Sequence, residues 1–390
     1  MRKLKDLNLT NTRVLMRLDL NVPLQNGRIA DDFRIRAALP TIEYCLSRNA
    51  AIVIMSHLGR PGGIYQNELS LVPVGETLSD LLECPVKFSD SCVSPDAIAV
   101  SKELRSGEIH LLENLRFFEE ETENDIRFAE KLSYHGKVYV NDAFGTAHRA
   151  HASNVGVAEK FQEKAMGLLM EREWEYLHHT LKEPARPLTI VLGGAKISGK
   201  LELIGRFIRS ADNILIGGGM SFTFLKAKGV EIGSSLLQED MLSSARLYLL
   251  RAEQKGAKLL LPVDCAVDNN SIRKIIMIDQ LSPNDKGLDI GPETIRIFRE
   301  MIRQSKTVVW NGPMGVYEDK KFVLGTQEIC EEISKVSDRG GQSIIGGGDS
   351  AAAVRAFGME QSMSHISTGG GASLELLAGR TLPALRALEV

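Results

Sequence analysis

The sequence predicts an α/β protein of two domains, each with a parallel sheet covered by helices. Three observations predict this class: the chain is long, short apolar strands alternate with helix-like stretches, and polar or glycine-rich turns follow the strands. At 390 residues the chain exceeds one ordinary hydrophobic core, so two domains are expected. The hydrophobic fraction of 43% is ample for burying both cores.

Polar side chains stand at the end of each strand predicted in the first half. The four strand segments are R-V-L-M-R-L-D-L-N-V-P, A-I-V-I-M-S-H-L-G-R, E-I-H-L-L-E-N-L-R and K-V-Y-V-N-D-A-F-G-T-A-H-R. Helical apolar spacing predicts helices over 31–45 and 70–82. This alternation favours a mostly parallel sheet with helices on both faces, and ligands bind beyond the carboxyl ends of such strands.

Five basic side chains of the first half are expected to converge on one cleft. They are Arg34, His57, Arg60, Arg116 and Arg149. Each alone would be interpreted as a surface charge, but arginine forks bind carboxylate and phosphate groups bidentately. Together they predict a site for a small, multiply anionic ligand, with Asp19 and Asn21 holding its hydroxyl groups.

A zinc site is the alternative for this region, because His148 and His151 lie three residues apart with Asp142 nearby. Arg149 stands between the two histidines, and a cation is poorly placed among basic groups. The anion site is therefore favoured.

A strongly helical run over 165–183, closed by Pro184 and Pro187, is expected to join the two domains. An ordinary amphipathic helix within one domain is the alternative. The expected boundaries are 1–164 for the first domain, 165–183 for the helix, 184–378 for the second domain, and 379–390 for a tail that packs back on the first. The acidic run at 119–123 is interpreted as the solvated start of a helix.

Glycine-rich turns follow the strands of the second half, which are predicted at 188–192, 213–216, 258–261, 307–310 and 343–345. The turns are G-G-A-K, G-G-G-M, N-G-P-M-G and G-G-G-D, and a further triplet, S-T-G-G-G-A-S, precedes a helix near Ser373. Such turns place rows of free backbone N–H groups along one sheet edge, which is an anion surface of nucleotide size.

A phosphate site is predicted directly after the strand at 188–192. Gly193 and Gly194 let backbone N–H groups approach an anion, and Lys196 and Lys200 add positive charge. A P-loop is a near alternative, but Leu201 stands where that loop needs a Ser or Thr hydroxyl on magnesium. A purely structural glycine turn is the other alternative.

The segment 346–351 matches G-x-G-x-x-A, the looser form of the dinucleotide-binding fingerprint. Asp349 lies inside this turn, where a carboxylate would face a pyrophosphate unless a metal bridged them. Binding of a magnesium nucleotide explains that aspartate, whereas NAD does not. A helix N-cap is the structural alternative for Asp349.

Bulk charge and composition exclude several classes. The net charge of −3 gives no general basic field for nucleic acid or an anionic membrane, and no apolar run approaches the roughly 18 residues of a membrane helix. The five cysteines are scattered and contain no C-x-x-C pair, which suits a reducing compartment. We therefore expect a cytoplasmic protein without nucleic-acid or membrane partners.

With these residues assembled, the sequence closely resembles the phosphoglycerate kinase family over nearly its whole length. The motifs that carry the resemblance are R-L-D-L-N-V-P, S-H-L-G-R-P, L-L-E-N-L-R-F, V-N-D-A-F-G-T-A-H-R-A-H, L-G-G-A-K, I-G-G-G-M-S-F-T-F-L, L-P-V-D, V-V-W-N-G-P-M-G-V-Y-E, G-G-G-D-S-A-A-A and S-T-G-G-G-A-S-L-E-L-L. The resemblance implies two doubly wound, Rossmann-like domains with a cleft between them, which a hinge closes.

The resemblance also implies a role for each site residue. The acid, 3-phosphoglycerate or 1,3-bisphosphoglycerate, would be bound by Asp19, Asn21, Arg34, His57, Arg60, Arg116 and Arg149. The nucleotide, ADP or ATP with Mg²⁺, would be bound by Lys200, Gly218, Gly287, Glu318, Gly346, Gly347, Gly348, Asp349 and Ser350, with Asp349 on the metal. The transferring phosphoryl group would meet Lys196, Arg34 and the amides of Gly370 and Gly371.

The resemblance favours a monomer, and the chain departs from the family pattern only mildly. Leu20, Gly199 and Ser350 stand where family members commonly have Phe, Asp and Thr. Ser350 keeps the hydroxyl group, and Gly199 removes no ligand. Two rival functions are a dehydrogenase that uses the 346–351 turn and a nucleotide-binding module without activity.

Overall fold

Two six-stranded parallel sheets, one in each of two structural units, carry the fold. The computed structural model describes residues 1–179 and 182–389. The first unit comprises Met1–Glu175 and the C-terminal segment from Thr381, and the second comprises Tyr176–Arg380. The prediction of two α/β domains with parallel sheets is confirmed.

The first sheet has the strand order β5-β6-β4-β1-β7-β8, and every neighbouring pair is parallel. Its strands are β1 (Arg13–Arg17), β4 (Ala51–Met55), β5 (Val86–Ser89), β6 (Ile109–Leu112), β7 (Val138–Asn141) and β8 (Lys164–Met166); a small hairpin contains β2 (Leu24–Gln25) and β3 (Arg28–Ile29). All five residues of β4 are buried, as expected for a central parallel strand covered on both faces.

Helices follow the strands of the first unit. They are α1 (Phe33–Ser47), α2 (Val72–Leu82), α3 (Pro95–Lys102), α4 (Glu119–Glu123), α5 (Ile126–Ser133) and α6 (Leu168–Trp174). One core joins Ile35 and Ile42 of α1 with Val74 of α2 and with the sheet residues Met16 and Ile54. The two helices predicted over 31–45 and 70–82 are present with small shifts at their ends.

The second sheet has the order β11-β10-β9-β15-β16-β17, again with parallel neighbours throughout. Its strands are β9 (Leu188–Leu192), β10 (Asn213–Ile216), β11 (Lys258–Leu260), β15 (Thr307–Asn311), β16 (Gln342–Gly346) and β17 (His365–Ile366). The strands predicted at 188–192 and 213–216 have the observed bounds, because both are fully buried apolar runs bounded by turns.

Helices of the second unit also follow its strands. They are α7 (Leu201–Phe207), α8 (Met220–Ala227), α9 (Leu242–Lys255), α10 (Pro292–Arg303), α11 (Leu324–Asp338), α12 (Gly348–Ala356) and α13 (Gly371–Leu377); α14 (Pro383–Ala387) belongs to the C-terminal segment of the first unit. Trp310 is completely buried in a core with Phe298 and Ile333. The helix expected near Ser373 begins two residues earlier, at Gly371.

A three-stranded antiparallel sheet in the second unit was not predicted. It contains β12 (Asp264–Asn269), β13 (Ile272–Met277) and β14 (Lys286–Ile290), in the order β13-β12-β14. Five of the six residues of β13, I-R-K-I-I-M, are exposed, and its apolar residues do not alternate with polar ones as in a half-buried strand.

The predicted 165–183 helix needs a correction at its start. Ala165 and Met166 lie in β8, and the α-helix begins at Leu168. A π-helical stretch, Glu175–His179, follows it, and the boundary between the two units falls after Glu175. Thr180 and Leu181, within the same prediction, lie outside the described residues.

None of the described helices is long and apolar enough to cross a membrane.

Candidate functional site

The register of the first sheet brings three strand ends to the same level. Arg17, the last residue of β1, pairs with Met55 on β4 and with Asn141 on β7. The segments that follow these three strands therefore begin side by side, near Asp19, His57 and Asp142. Strand β1 lies where the strand order reverses, and ligands of open α/β sheets bind at such a switch point.

Asp19 organises the first group of predicted ligand residues. Its Oδ1 accepts hydrogen bonds from Arg34 Nη1 at 3.2 Å and from the backbone N–H of Asn21 at 3.3 Å. The same Arg34 nitrogen donates to the carbonyl oxygen of Asn21 at 3.1 Å, and His57 Nε2 lies 3.9 Å from Asp19 Oδ1. Three of the seven residues predicted for the acid thus lie in one hydrogen-bonded group, and a fourth, His57, lies beside it.

Gly59 connects this group to Arg116. Its backbone N–H donates to Asn21 Oδ1 at 2.9 Å, and its carbonyl oxygen accepts from Arg116 Nη1. Asn114 supports the same turn by donating to the carbonyl oxygen of Leu58 at 2.7 Å and by accepting from the backbone N–H of Arg116 at 3.0 Å. The strand-end loops of β4 and β6 therefore hold each other in place.

Arg116 is a donor prepared for an anion. Its Nη2 is buried and has no hydrogen-bond partner among the described residues. Burial, together with the neighbouring Arg149 and Arg17, lowers the pKa of Arg116 to about 10. An unpartnered buried guanidinium nitrogen is costly, and an anionic ligand would satisfy it.

Arg116 lines a cavity of about 630 Å³ together with Arg60 and Arg149. The remaining lining residues are Gly62, Gly63, Glu119, Thr122, Glu123 and His151. Of the seven residues predicted for the acid, three line the cavity and four lie at or beside Asp19. Gly59 connects the two sets through its contacts with Asn21 and Arg116.

The zinc alternative finds no support in this unit. Asp142 Oδ1 accepts from the backbone N–H of Met170 at 2.9 Å, so that carboxylate holds the start of α6. Arg149 Nε donates to His148 Nε2 at 3.2 Å. Within residues 1–179 and 182–389, no group of three or more His, Cys, Asp or Glu side chains could hold a metal ion.

The acidic run at 119–123 is a helix, α4, but its interpretation as the solvated start of a helix was wrong at one position. Glu121 is completely buried and accepts hydrogen bonds from the hydroxyl group of Ser153 at 2.6 Å and from its backbone N–H at 2.9 Å. Those contacts join residues 32 positions apart, which a local sequence pattern does not reveal.

In the second unit, the strand order reverses at β9, between β10 and β15. Backbone hydrogen bonds interlock the loops at this point: Gly193 N–H donates to Asn311 O at 3.0 Å, Gly194 N–H to Pro313 O at 2.7 Å, and Gly218 N–H to Met314 O at 3.0 Å. Three of the predicted glycine turns therefore interlock at the carboxyl edge of the sheet. The prediction that the N–H groups of Gly193 and Gly194 are free for an anion was wrong, because both donate to carbonyl oxygens.

Lys200 reaches back across this switch point. Its ammonium group donates to the carbonyl oxygen of Gly193 and lies 3.4 Å from that of Asn311. Burial lowers the pKa of Lys200 to about 8, and the nearby carboxylate of Asp349 opposes that shift. A cation held in a desolvated position beside a glycine turn suits a phosphate group.

The predicted phosphate turn at 346–350 combines a strand end with a helix start. Gly346 ends β16, Gly347 has a φ of +91° that favours glycine, and Gly348 begins α12. Ser350 is buried, and its Oγ accepts from the backbone N–H of Gly312 at 2.6 Å, so it shapes the neighbouring loop. Asp349 is exposed at the helix start.

Asn311 is a residue that the sequence reasoning did not select. Its Nδ2 is buried without a hydrogen-bond partner among the described residues, and a Cβ atom at Gly347 would lie 2.8 Å from it. The side chain therefore presents a free donor beside the phosphate turn. Its place in W-N-G-P-M-G, at the end of a buried strand, was the available signal in the sequence.

Lys196 lies exposed in the turn between β9 and α7. The next backbone N–H, that of Ile197, donates to Gln238 Oε1 at 2.6 Å and tethers the turn. Gly199 and Gly371 line a common cavity of about 430 Å³, so this turn lies close to the start of α13. Gly370, with a φ of +48°, precedes that helix.

Three residues predicted around the base and ribose lie in different surroundings. Gly218 is buried between loops, where a Cβ atom would meet Gly194 N at 2.6 Å and Pro313 O at 2.8 Å. Gly287 lies in β14, and a Cβ atom there would lie 2.0 Å from the ring of Phe222. Glu318 is exposed between β15 and α11. The first two shape the walls of the unit through their backbones.

Asp349 also fits a bound Mg²⁺. It is an exposed carboxylate beside a turn suited to phosphates, and carboxylate oxygens are ligands that Mg²⁺ prefers. Magnesium commonly takes one or two carboxylates and completes its shell with water and substrate phosphates. A single aspartate is therefore enough at this place.

The two parallel-sheet units, one with a guanidinium-lined cavity and the other with a glycine-rich turn suited to phosphate, define a two-domain α/β protein with an anion site in each unit. Comparison with known proteins then identifies the family. The family model described as "Phosphoglycerate kinase" matches residues 4–380, and the chain belongs to that family.

Relatives and solved structures agree with this assignment. The phosphoglycerate kinase of Dictyoglomus turgidum (strain DSM 6724 / Z-1310) is 48% identical over 390 residues, covering 99% of this chain and 98% of the relative. That of Prochlorococcus marinus (strain MIT 9312) is 47% identical, with 98% and 96% covered. The structure of phosphoglycerate kinase from Coxiella burnetii has a TM-score of 0.89 at 38% identity and covers 99% of this chain and 98% of that chain. The enzyme from Pyrococcus horikoshii OT3 has a TM-score of 0.86 at 37% identity, with 100% and 98% covered.

Proposed function

We propose that this chain catalyses the reversible transfer of a phosphoryl group from 1,3-bisphosphoglycerate to ADP, giving 3-phosphoglycerate and ATP, as a step of glycolysis. The observation that carries the proposal is the pairing of two anion sites in one chain of this family. One site offers the unpartnered, buried Nη2 of Arg116, and the other offers the desolvated ammonium group of Lys200.

The predicted first domain, 1–164, which lies within the first unit, binds the acid in this proposal. Arg60, Arg116 and Arg149 line one cavity and suit its phosphate or carboxylate groups, because guanidinium forks match such oxygens bidentately. Asp19 and Asn21 accept or donate hydrogen bonds at the acid's hydroxyl group, while His57 offers a ring nitrogen. Arg34, held by Asp19 at 3.2 Å, neutralises charge near the reacting carboxylate.

The predicted second domain, 184–378, which lies within the second unit, binds the nucleotide in this proposal. Lys200 and the backbone N–H groups of 346–350 suit its phosphates, and Asn311 Nδ2 supplies a further donor beside Gly347. Gly218 and Gly287 would shape the wall near the base, because they let the neighbouring loops and Phe222 pack closely, and Glu318 would accept hydrogen bonds from the ribose. Asp349 would hold Mg²⁺, which neutralises phosphate charge when bound.

Transfer of the phosphoryl group requires positively charged groups around it and does not require a general base. The carboxylate of 3-phosphoglycerate and the terminal oxygen of ADP are both ionised at neutral pH, so neither nucleophile has to lose a proton. Lys196, Arg34 and the amides of Gly370 and Gly371 would surround the migrating phosphoryl group and stabilise charge on its equatorial oxygens.

Direct transfer also requires that both substrates approach each other and that water is excluded, since water would hydrolyse the acyl phosphate. We propose hinge closure around the substrates, with the segment that begins at α6 as the connection between the units and the predicted 379–390 tail on the first. We further propose that the enzyme works as a monomer in the cytoplasm.

A coupled assay tests the function. Purified protein is supplied with ATP, Mg²⁺ and 3-phosphoglycerate, and formation of ADP is followed with and without the acid. We expect ADP formation that depends on the acid and on Mg²⁺. Binding of ADP without acid-dependent turnover would support the binding-module alternative, and quenching of NADH fluorescence independent of Mg²⁺ would support the dehydrogenase.

A further inference from the structure

Arg17 is a completely buried arginine that lies beneath the acid site at the end of β1. Its guanidinium group makes three contacts inside the unit: Nε donates to Ser153 Oγ at 2.7 Å, Nη1 donates to the carbonyl oxygen of Leu18, and Nη2 lies 3.2 Å from His57 Nδ1. A buried cation with this many directed contacts constrains each of its partners.

The contacts of Ser153 orient the arginine. The carboxylate of Glu121 accepts from the Ser153 hydroxyl group at 2.6 Å and from the Ser153 backbone N–H at 2.9 Å. Because the hydroxyl proton is directed to Glu121, the Ser153 oxygen is free to accept from Arg17 Nε. Glu121 also supplies a negative charge that offsets the positive charge of the buried guanidinium group. The Arg17 cation is therefore linked through Ser153 to a carboxylate of opposite charge.

The contact with His57 then determines the state of the imidazole. A guanidinium group has donors and no acceptor, so His57 Nδ1 must accept the hydrogen bond and carries no proton. The ring is consequently neutral, and its single N–H is on Nε2. That nitrogen faces the acid site, 3.9 Å from Asp19 Oδ1.

We propose that Arg17 is a positioning residue that holds His57 as the neutral Nε2–H tautomer, so that His57 serves the acid as a hydrogen-bond donor and not as a cation. This inference rests on the proposed function for the identity of the ligand. The positive charge of the acid site then comes from Arg34, Arg60, Arg116 and Arg149.

The charges around His57 support this assignment. Arg17 from β1, Arg34 from α1, Arg116 and Arg149 all lie near enough to disfavour a positive charge on the ring, and the carboxylate of Asp19 lies 3.9 Å from Nε2. Burial, followed by repulsion from these arginines, lowers the pKa of His57 well below its ordinary value. Acid binding should therefore not follow a histidine titration between about pH 5 and pH 8.

Nitrogen-15 NMR of the histidine side chains in the unliganded protein tests the inference directly. In the unaltered protein we expect His57 Nδ1 unprotonated, Nε2 protonated, and neither signal titrating between about pH 5 and pH 8. A His57 imidazolium, or the Nδ1–H tautomer, at neutral pH would overturn the proposal. Resonances are assigned by their loss in His57→Gln.

Arg17→Lys keeps a buried cation but cannot contact Ser153 and His57 with the same fork. We expect mixed tautomers of His57 and the appearance of titration, with KM for 3-phosphoglycerate raised about tenfold and kcat changed less. The matched control is Arg13→Lys on the same strand, whose Nε donates to the carbonyl oxygen of His135 at 2.8 Å. An unchanged His57 spectrum in folded Arg17→Lys would contradict the role of Arg17.

The NMR and kinetic results separate the two proposals. The His57 spectrum is recorded without substrate, so it stands even if the coupled assay shows no turnover. Turnover together with a protonated His57 Nδ1 would leave the function intact and remove only the inference about Arg17. Should Arg17→Lys fail to fold, the spectrum of the unaltered protein still decides the tautomer.

Discussion

Arg34 Nη1 lies 3.2 Å from Asp19 Oδ1 and 3.1 Å from the carbonyl oxygen of Asn21. The arginine is thus oriented before a ligand arrives, and Asp19 is mostly buried beside it. Pre-orientation reduces the entropy lost when a ligand is bound.

Asp19→Ala should release Arg34 and remove the acceptor for the acid's hydroxyl group. We expect KM for 3-phosphoglycerate to rise about tenfold or more, with nucleotide affinity unchanged. Steady-state kinetics with each substrate varied in turn provide the measurement. Asp32→Ala is the control, since Asp32 pairs with Arg36 at 2.8 Å on the exposed side of α1. Equal effects of the two substitutions would contradict a role of Asp19 in binding.

Lys196→Ala should lower turnover about a hundredfold or more while leaving nucleotide affinity within a few fold, because charge is lost in the transition state. Lys196 is exposed, so the fold should tolerate the change. Turnover is compared with ADP affinity from calorimetry. Lys255→Ala, at the exposed end of α9, serves as the matched control. Unchanged turnover in the Lys196 variant would remove it from the reaction.

Nucleotide binding should take up protons near pH 8 through Lys200. Burial lowers its pKa to about 8, and a phosphate anion beside the ammonium group raises the pKa again. At pH values between the pKa of Lys200 in the free enzyme and its higher pKa in the complex, the complex holds more protons than the free enzyme. The affinity for nucleotide should therefore fall as the pH rises above about 8.

Calorimetry of ADP binding in buffers of different ionisation enthalpy measures this uptake, which we expect to be about half a proton near pH 8. Lys200→Arg should abolish it, because arginine stays protonated. Lys226→Arg, at a lysine paired with Glu231 on the surface, should retain it. Uptake that persists in Lys200→Arg would assign the proton to another group.

Gly347→Ala should damage the phosphate turn for two reasons. The φ of +91° disfavours alanine, and the new Cβ atom would lie 2.8 Å from Asn311 Nδ2. We expect a loss of about 1–3 kcal/mol in unfolding free energy and weaker nucleotide binding. Gly358→Ala separates backbone strain from crowding, because Gly358 also has a positive φ, +68°, but a Cβ atom there would meet nothing within 4 Å. Urea unfolding and ADP titration of both variants give the comparison, and equal nucleotide affinity in the two would refute crowding at Asn311.

The stability of the first unit should fall in mild acid through His110 and His135. Ser101 Oγ lies 2.8 Å from His110 Nδ1 and 2.6 Å from His135 Nδ1, and burial lowers the pKa of each histidine to about 4. Unfolding restores the ordinary pKa near 6.5, so the unfolded chain binds more protons between these values. Stability is therefore complete above about pH 6.5 and is lost as the pH falls towards 4.

Urea unfolding at several pH values tests this linkage. His135→Gln should reduce the loss of stability between about pH 6.5 and pH 4 by about 2 kcal/mol relative to the unaltered protein, although the variant starts less stable at neutral pH. Parallel pH profiles for the two proteins would show that His135 does not carry the effect.

Much of the second sheet could be predicted because its strands are buried apolar runs followed by glycine. Strands β9 and β10 have the predicted bounds, whereas the exposed edge strand β13 was missed, since its residues lack a period that marks a buried face. The start of α6 was also misplaced, because Ala165 and Met166 suit a helix by propensity but pair with β7.

The sequence by itself determined the class of the fold, the family, and the kinds of side chain at each strand end. These follow from local periodicity and from motifs whose residues lie close together in the chain. Only the tertiary structure decided the burial of Glu121, the free donors of Asn311 and Arg116, and the contact between Arg17 and His57. Each of these depends on groups far apart in sequence meeting in a desolvated interior, where geometry determines which atom donates and which group keeps its charge.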